Sequence, residues 1–232
     1  MALDFISKCT YNYVQMEIDI EEVKQKIDSS PYLTRKNLEL LLGSNRRTSD
    51  DRIKSLIKSG VLIRLKNGFY ISKSYLDRDR EPEKYREYLA NILYRPSYIS
   101  LKYALSAYGL IPESVYNITS VTLSKTKTFD NYLGVFIYRK VKNELFDGYT
   151  TVPCKNLAVS FASKAKCLFD FIYLAKLPLE IENIRSYLTT DSRINWSLLN
   201  SADKKEFRYW VKRSGSLRMK RLERILADSK LI

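Results

Sequence analysis

The sequence predicts an α+β chain in two parts, and three observations predict it. Helix-period apolar patterns run from residue 19 to residue 60 and lead into an Asn-Gly turn between two short β-type runs. Between residues 117 and 161, β-rich runs stand between helical patterns, the arrangement of an α+β unit. From Pro178 onward every periodicity is helical. A length of 232 residues leaves room for one large domain or two small ones, each with a core.

The elements follow in order. Ile20, Val23 and Ile27, spaced by three and four, mark one helix face, and Pro31 lies just beyond. Thr34 is placed to cap a second helix with Leu38, Leu41 and Leu42 inward, and Gly43 to end it. A third helix is expected to begin near Thr48 and Ser49. Asp50 and Asp51 would sit in its first turn, where the helix dipole favours anions, with Ile53, Leu56 and Ile57 inward and Gly60 as the stop. Val61 to Arg64 and Phe69 to Ser72 then flank Lys66-Asn67-Gly68, a hairpin signal. Three helices and a hairpin predict a winged helix-turn-helix over residues 1–75. Residues 76–95, charged and then helical, are expected to be a connector with little shared core. Residues 96–232 are expected to fold independently as an α+β domain, helical from about 178. In that part Ser100 should cap a helix reaching Tyr108, and strands are expected at Asn117–Leu123, Gly134–Val141, Phe146–Val152 and Leu157–Phe161. The Thr/Ser/Lys-rich stretch after the first of these reads as a turn.

Charge points to a polyanionic partner. The formal net charge is +14, and the excess is concentrated in two segments. Residues 33–73 hold ten basic and three acidic side chains, and residues 202–224 hold nine and three. Localised basic excess is the footprint expected of phosphate contact. In the first segment Arg46, Arg47, Thr48 and Ser49 lie at the third helix's N-terminal end, which would approach base edges. Arg52, Lys54, Ser55 and Lys58 fall on its non-core side. Arg35 and Lys36 open the second helix, while Arg64, Lys66 and Asn67 form the wing. In the second segment Lys204, Lys205, Arg208, Lys212, Arg213, Lys220, Arg221 and Arg224 should face outward. The apolar stripe Phe207, Trp210, Val211, Leu222 and Ile225 must then face inward.

Other chemistry is excluded or weak. The chain has no histidine, so it can build no Ser-His-Asp triad, HExxH zinc site or Cys-His pair. Cys9, Cys154 and Cys167 are far apart and form no CxxC, which suits buried thiols in a reducing cytoplasm rather than a metal site. Gly43-Ser44 followed by Asp50-Asp51 suggests a nucleotidyltransferase metal site. Adjacent aspartates at a helix start diverge, however, so capping explains them better. No glycine-rich phosphate loop is present, and no catalytic residue, cofactor or metal is expected. The apolar stretch Leu157–Ala175 is interrupted by Lys164, Lys166 and Asp170, which excludes a membrane span, and the first residues lack signal-peptide order. Tyr85, Tyr88, Tyr94, Tyr98, Tyr103 and Tyr108 fall mainly at helical spacing near the junction, which favours packing over base stacking.

Three stretches resemble a known family. The hairpin LIRLKNGFYIS, the run RPSYISLKYALSAYGLIPESVYNITSVTLSKTKTFDNYLGVFIYRKV and the terminal LRMKRLERILADS are similar to the corresponding parts of AbiEi-family antitoxins. These are the antitoxins of bacterial abortive-infection toxin–antitoxin pairs. The likeness spans about residues 15–228, and the long middle run is its most specific part. The resemblance implies a type IV antitoxin, and the cysteines and the missing histidine add the expectation of a cytoplasmic protein that is not an enzyme. Its N-terminal domain would bind inverted repeats in operator DNA and repress its own operon. Its C-terminal domain would neutralise a nucleotidyltransferase-like toxin, with or without a stable complex. A monomer or a weak dimer would suit inverted repeats. The alternative is a stand-alone winged-helix repressor whose C-terminal domain serves sensing or dimerisation.

Overall fold

The computed structural model describes residues 20–43, 46–154, 157–176 and 181–232. Cys9, Ser44, Pro178 and Glu180 lie outside the described residues, as do the side chains of Ile20, Arg46, Cys154, Ile181 and Glu182. Within the described residues the chain is mixed α and β, with ten α-helices and two sheets.

The N-terminal lobe runs α1 (Ile20–Ser29), β1 (Leu33–Thr34), α2 (Arg35–Leu41), α3 (Arg46–Lys58), β2 (Leu62–Lys66) and β3 (Phe69–Ser72). Thr34 caps α2 as its position suggests, accepting from the Asn37 amide at 3.2 Å, while the Asn37 side chain accepts from the Thr34 amide at 2.9 Å. The third helix opens at Arg46, earlier than Thr48, so Arg46 and Arg47 lie inside its first turn and Asp50 and Asp51 lie beyond it. The three strands form one sheet in the order β1-β3-β2, and Gly68, at φ +72°, supplies the positive φ the Asn-Gly turn requires.

Period-two alternation divides the hairpin between two cores. Leu62 and Tyr70 join Ile27, Leu33, Leu38, Leu42 and Ile53 in a small core under α1–α3. Leu65, Phe69 and Ile71 point the other way, into the main core. All four residues of β3 are buried, because the strand lies between the two cores.

After α4 (Lys73–Arg78) comes α5 (Pro82–Leu93), which occupies most of the stretch expected to be a connector. That expectation of little shared core does not hold. Tyr85, Leu89, Ala90 and Leu93 are almost wholly buried, and each large apolar side chain so buried contributes about 1.5–3 kcal/mol. The charges misled because they occupy one side of the helix only. Even Glu87 is buried, held by Lys84 at 3.0 Å and by the Tyr103 hydroxyl at 3.0 Å.

The main sheet has six strands: β4 (Ser97–Ile99), β5 (Ile118–Thr122), β6 (Lys127–Asn131), β7 (Gly134–Lys140), β8 (Tyr149–Cys154) and β9 (Leu157–Ala162). Their spatial order is β6-β7-β5-β4-β9-β8, with β5/β7 and β4/β9 parallel and the other pairs antiparallel. The stretch expected to be only a turn contains β6, which pairs with β7 from Lys127↔Tyr138 to Asn131↔Gly134. Helix α5 lies across one face, where Tyr138 donates to the Ala90 carbonyl at 2.7 Å. Helix α7 (Lys164–Leu174) covers the other, approached by Tyr98 and Arg139. Helix α6 (Leu101–Ala107) follows Ser100, whose hydroxyl does not cap it but donates to Asp170 on α7 at 2.8 Å. Helices α8 (Ile181–Ser186), α9 (Ser201–Arg213) and α10 (Leu217–Asp228) complete the fold, with Phe207, Trp210, Val211, Leu222 and Ile225 buried. No helix among the described residues is long and apolar enough to cross a membrane.

Candidate nucleic-acid interface

Helix α3 presents two unlike sides. Ser49 and Ile53 are buried and Leu56 and Ile57 partly so, which turns Arg47, Thr48, Asp51, Arg52, Lys54, Ser55 and Lys58 outward. Ser49, expected at the DNA face, is inaccessible at 0% exposure, because it shares the inward turn with Ile53. On the outer side Lys54 pairs with Asp51 at 3.0 Å. Arg47 and Lys58 have no ion-pair partner among the described residues. Basic side chains and a hydroxyl on the exposed side of a helix can donate to phosphate oxygens and to guanine acceptors.

Two arginines expected to touch DNA are engaged within the lobe. Arg35 pairs with Glu39 at 2.9 Å and with Asp50 at 2.5 Å, clamping α2 to α3, and the hydrogen bond to Glu39 is the main cause of its raised pKa. Asp50 therefore serves as a bridge, not as a helix cap. Arg52 donates to the Leu42 carbonyl at 2.7 Å and so satisfies the end of α2. Lys36 is exposed and without an ion pair among the described residues.

The β2–β3 hairpin is tied down around its turn and leaves two polar side chains open. Arg64 and Asn67 are exposed. Lys66 instead turns back onto the C-terminal lobe, where its Nζ donates to the Leu93 carbonyl at 2.5 Å and lies 5.8 Å from the Phe69 ring and 5.6 Å from the Phe129 ring. Burial pushes its pKa down, and nearby Lys127 adds to the effect. Asn131 on β6 donates to the Leu65 carbonyl at 3.2 Å, and Gly68 accepts from the Arg35 amide at 3.0 Å. Lys66, expected to reach phosphate, is thus engaged within the protein, because the hairpin's other face is occupied by the main sheet.

The basic residues of α9 and α10 also divide. Lys205, Lys212, Lys220, Arg221 and Arg224 are exposed without ion pairs among the described residues, and Lys204 is half-buried. Arg208 lies 3.8 Å from Glu223, and Arg213 pairs with Asp147 at 3.3 Å while donating to the Tyr209 hydroxyl at 2.6 Å. Arg218 donates to the Ala175 carbonyl at 3.1 Å and to that of Tyr173, so it satisfies the end of α7.

Sequence reasoning missed one polar cluster. Lys166 and Asp170, one turn apart on α7, are both at 0% exposure and form an ion pair. The Tyr98 hydroxyl donates to Asp170 at 2.9 Å and lies 2.8 Å from Lys166 Nζ; the rings of Tyr98, Phe169 and Trp210 surround that nitrogen at 5.0–5.3 Å. Burial pushes Lys166 down, Asp170 up and the Tyr98 phenol far up. With Lys166 and Asp170 both at 0% exposure, the cluster joins β4, α7 and α9 inside the core. Its signal was a Lys and an Asp four apart in an otherwise apolar helix, where mutual pairing can replace solvent.

Among the described residues no group of three Cys, Asp or Glu side chains could hold a metal ion, and Cys167 is a buried free thiol. No protein-family model matches this chain, and no curated protein sequence matches it.

Proposed function

We propose that the chain is a duplex-DNA-binding repressor of its own operon and the antitoxin of a bacterial type IV pair. In this reading it counteracts a nucleotidyltransferase-like toxin. The observation that carries the DNA-binding half is the outer side of α3, where Arg47, Lys54, Ser55 and Lys58 stand clear of the core. The order α1-β1-α2-α3-β2-β3 supports a winged helix-turn-helix with α3 in the major groove, and exposed Arg64 and Asn67 suit contact with flanking phosphate. The antitoxin half rests on the resemblance of residues 15–228 to AbiEi-family antitoxins.

The test has two arms. In a gel shift, the DNA upstream of the gene should be retarded by the full chain at concentrations that leave unrelated duplex free. In cells, co-expression should relieve the toxicity of the neighbouring gene. Equal affinity for all duplexes removes the repressor role, and unrelieved toxicity removes the antitoxin role.

One observation favours a second reading, a stand-alone repressor with a sensing domain. The wing is held by Lys66 and Asn131 against the C-terminal lobe, so a change there would reach the DNA-binding side. A harmless neighbouring gene combined with operator binding would select this reading.

A further inference from the structure

An open cavity of about 550 Å³ lies where the end of β7 meets the end of α9, far in the chain from α3. Lys140, Lys142, Asn143, Glu144, Arg213 and Ser214 line it. Lys140 and Lys142 are exposed and have no ion-pair partner among the described residues, whereas Arg213 is already paired with Asp147, so two free lysines and one paired arginine face Glu144. Arg213 connects the cavity to Tyr209, a half-exposed ring whose hydroxyl accepts from its Nη1 at 2.6 Å. Further exposed cations lie on α9 and on the helix packed against it. Lys212 adjoins Arg213, and the approach of Arg208 to Glu223 brings α10, with Lys220 and Arg224, alongside α9.

We propose that this face binds single-stranded RNA. A volume of this size suits one nucleotide, and the extended run of cations suits a chain of phosphates rather than a single one. A hollow flanked by an exposed tyrosine takes an unstacked base, whereas reading a duplex groove requires a protruding element. Glu144 selects the sugar, because a carboxylate repels phosphate but accepts a hydrogen bond from a ribose 2′-hydroxyl. The surface is separate from α3, so the inference does not depend on the operator-binding role.

The experiment is fluorescence anisotropy of the full chain with labelled oligouridylate and oligothymidylate of about 12 nucleotides, a size typical of such sites, and with a mixed-sequence duplex. Oligouridylate should bind more tightly than oligothymidylate. Tyr209→Ala should weaken it by about tenfold, while Tyr209→Phe, which keeps the ring, should not. Lys140→Gln with Lys142→Gln should weaken it further and flatten its salt dependence. Arg47→Ala should leave RNA binding unchanged while reducing duplex binding, so failure at either surface is separately visible. The proposal is overturned if the Tyr209 and lysine variants bind like wild type, if Arg47→Ala removes RNA binding, or if free uridine monophosphate or polyglutamate competes as well as the oligomer.

Discussion

Arg47 and Lys66 are both cations of the N-terminal lobe, yet their surroundings give them opposite work. Arg47 projects from the first turn of α3 without a hydrogen-bond or ion-pair partner among the described residues. Replacing it together with Ser55 by Ala should remove about 1–3 kcal/mol of base discrimination, measured by gel shift against single-base operator variants. Unchanged selectivity would exclude α3 as the reading helix. Lys66 is already bonded to Leu93, so Lys66→Met should alter thermal stability and leave the salt slope of DNA binding as it was. The buried Lys166–Asp170 pair makes a sharper case. Lys166→Met alone strands the Asp170 charge and should cost about 3–5 kcal/mol in urea unfolding. Lys166→Met combined with Asp170→Leu removes both charges and should recover most of that loss. Equal losses in the single and double variants would mean that the pair does not act as a unit.

At the scale of elements, the hairpin decides how the two lobes relate. One face of β2–β3 completes the small core and the other joins the main core, so the hairpin is held like a rib. In the proposed reading, only its exposed side remains for DNA. Arg64→Ala should therefore weaken all duplexes alike and lower the salt slope by roughly one, read from binding isotherms across ionic strengths. A sequence-selective loss would place Arg64 in the minor groove instead. Helix α5 belongs to the same account. It was legible as a helix from its periodicity, but its four acidic and basic neighbours concealed that Tyr85, Leu89 and Leu93 are core residues.

Across the whole molecule the shared core predicts joint folding. Residues 96–232 without α5 would expose the sheet face that Tyr85, Leu89, Ala90 and Leu93 cover. That fragment should show no cooperative thermal transition, while the full chain unfolds in one, as calorimetry can measure. A cooperative fragment would overturn this and restore the independent domain that the charged connector suggests. Alkaline pH offers a second global test. Burial raises the phenol pKa of Tyr85, Tyr98, Tyr103 and Tyr138, and that of Tyr108 to about 12. Folded values above the unfolded value mean that their contribution is complete below about pH 10 and is lost as pH rises further. Urea midpoints should fall steeply above pH 10, with part of the tyrosine absorbance titrating only on unfolding. Full titration of all tyrosines before unfolding would contradict their burial.

The sequence by itself determined what depends on near neighbours. Thr34 with Asn37 starts α2, Asn67-Gly68 turns the hairpin, and the spacing of Phe207, Trp210, Val211 and Leu222 sets the inward sides of α9 and α10. Each of these follows from contacts a few positions apart, where propensity and periodicity act directly. Tertiary structure alone decided which charges are free. Lys66 is engaged by Leu93, Arg52 by Leu42, Arg218 by the end of α7, and Lys166 by Asp170 and Tyr98. Lysine and arginine have the same formal charge in solvent and against a buried carbonyl. Most of these partners lie ten or more positions away, and only the packing of whole elements brings them within hydrogen-bonding distance.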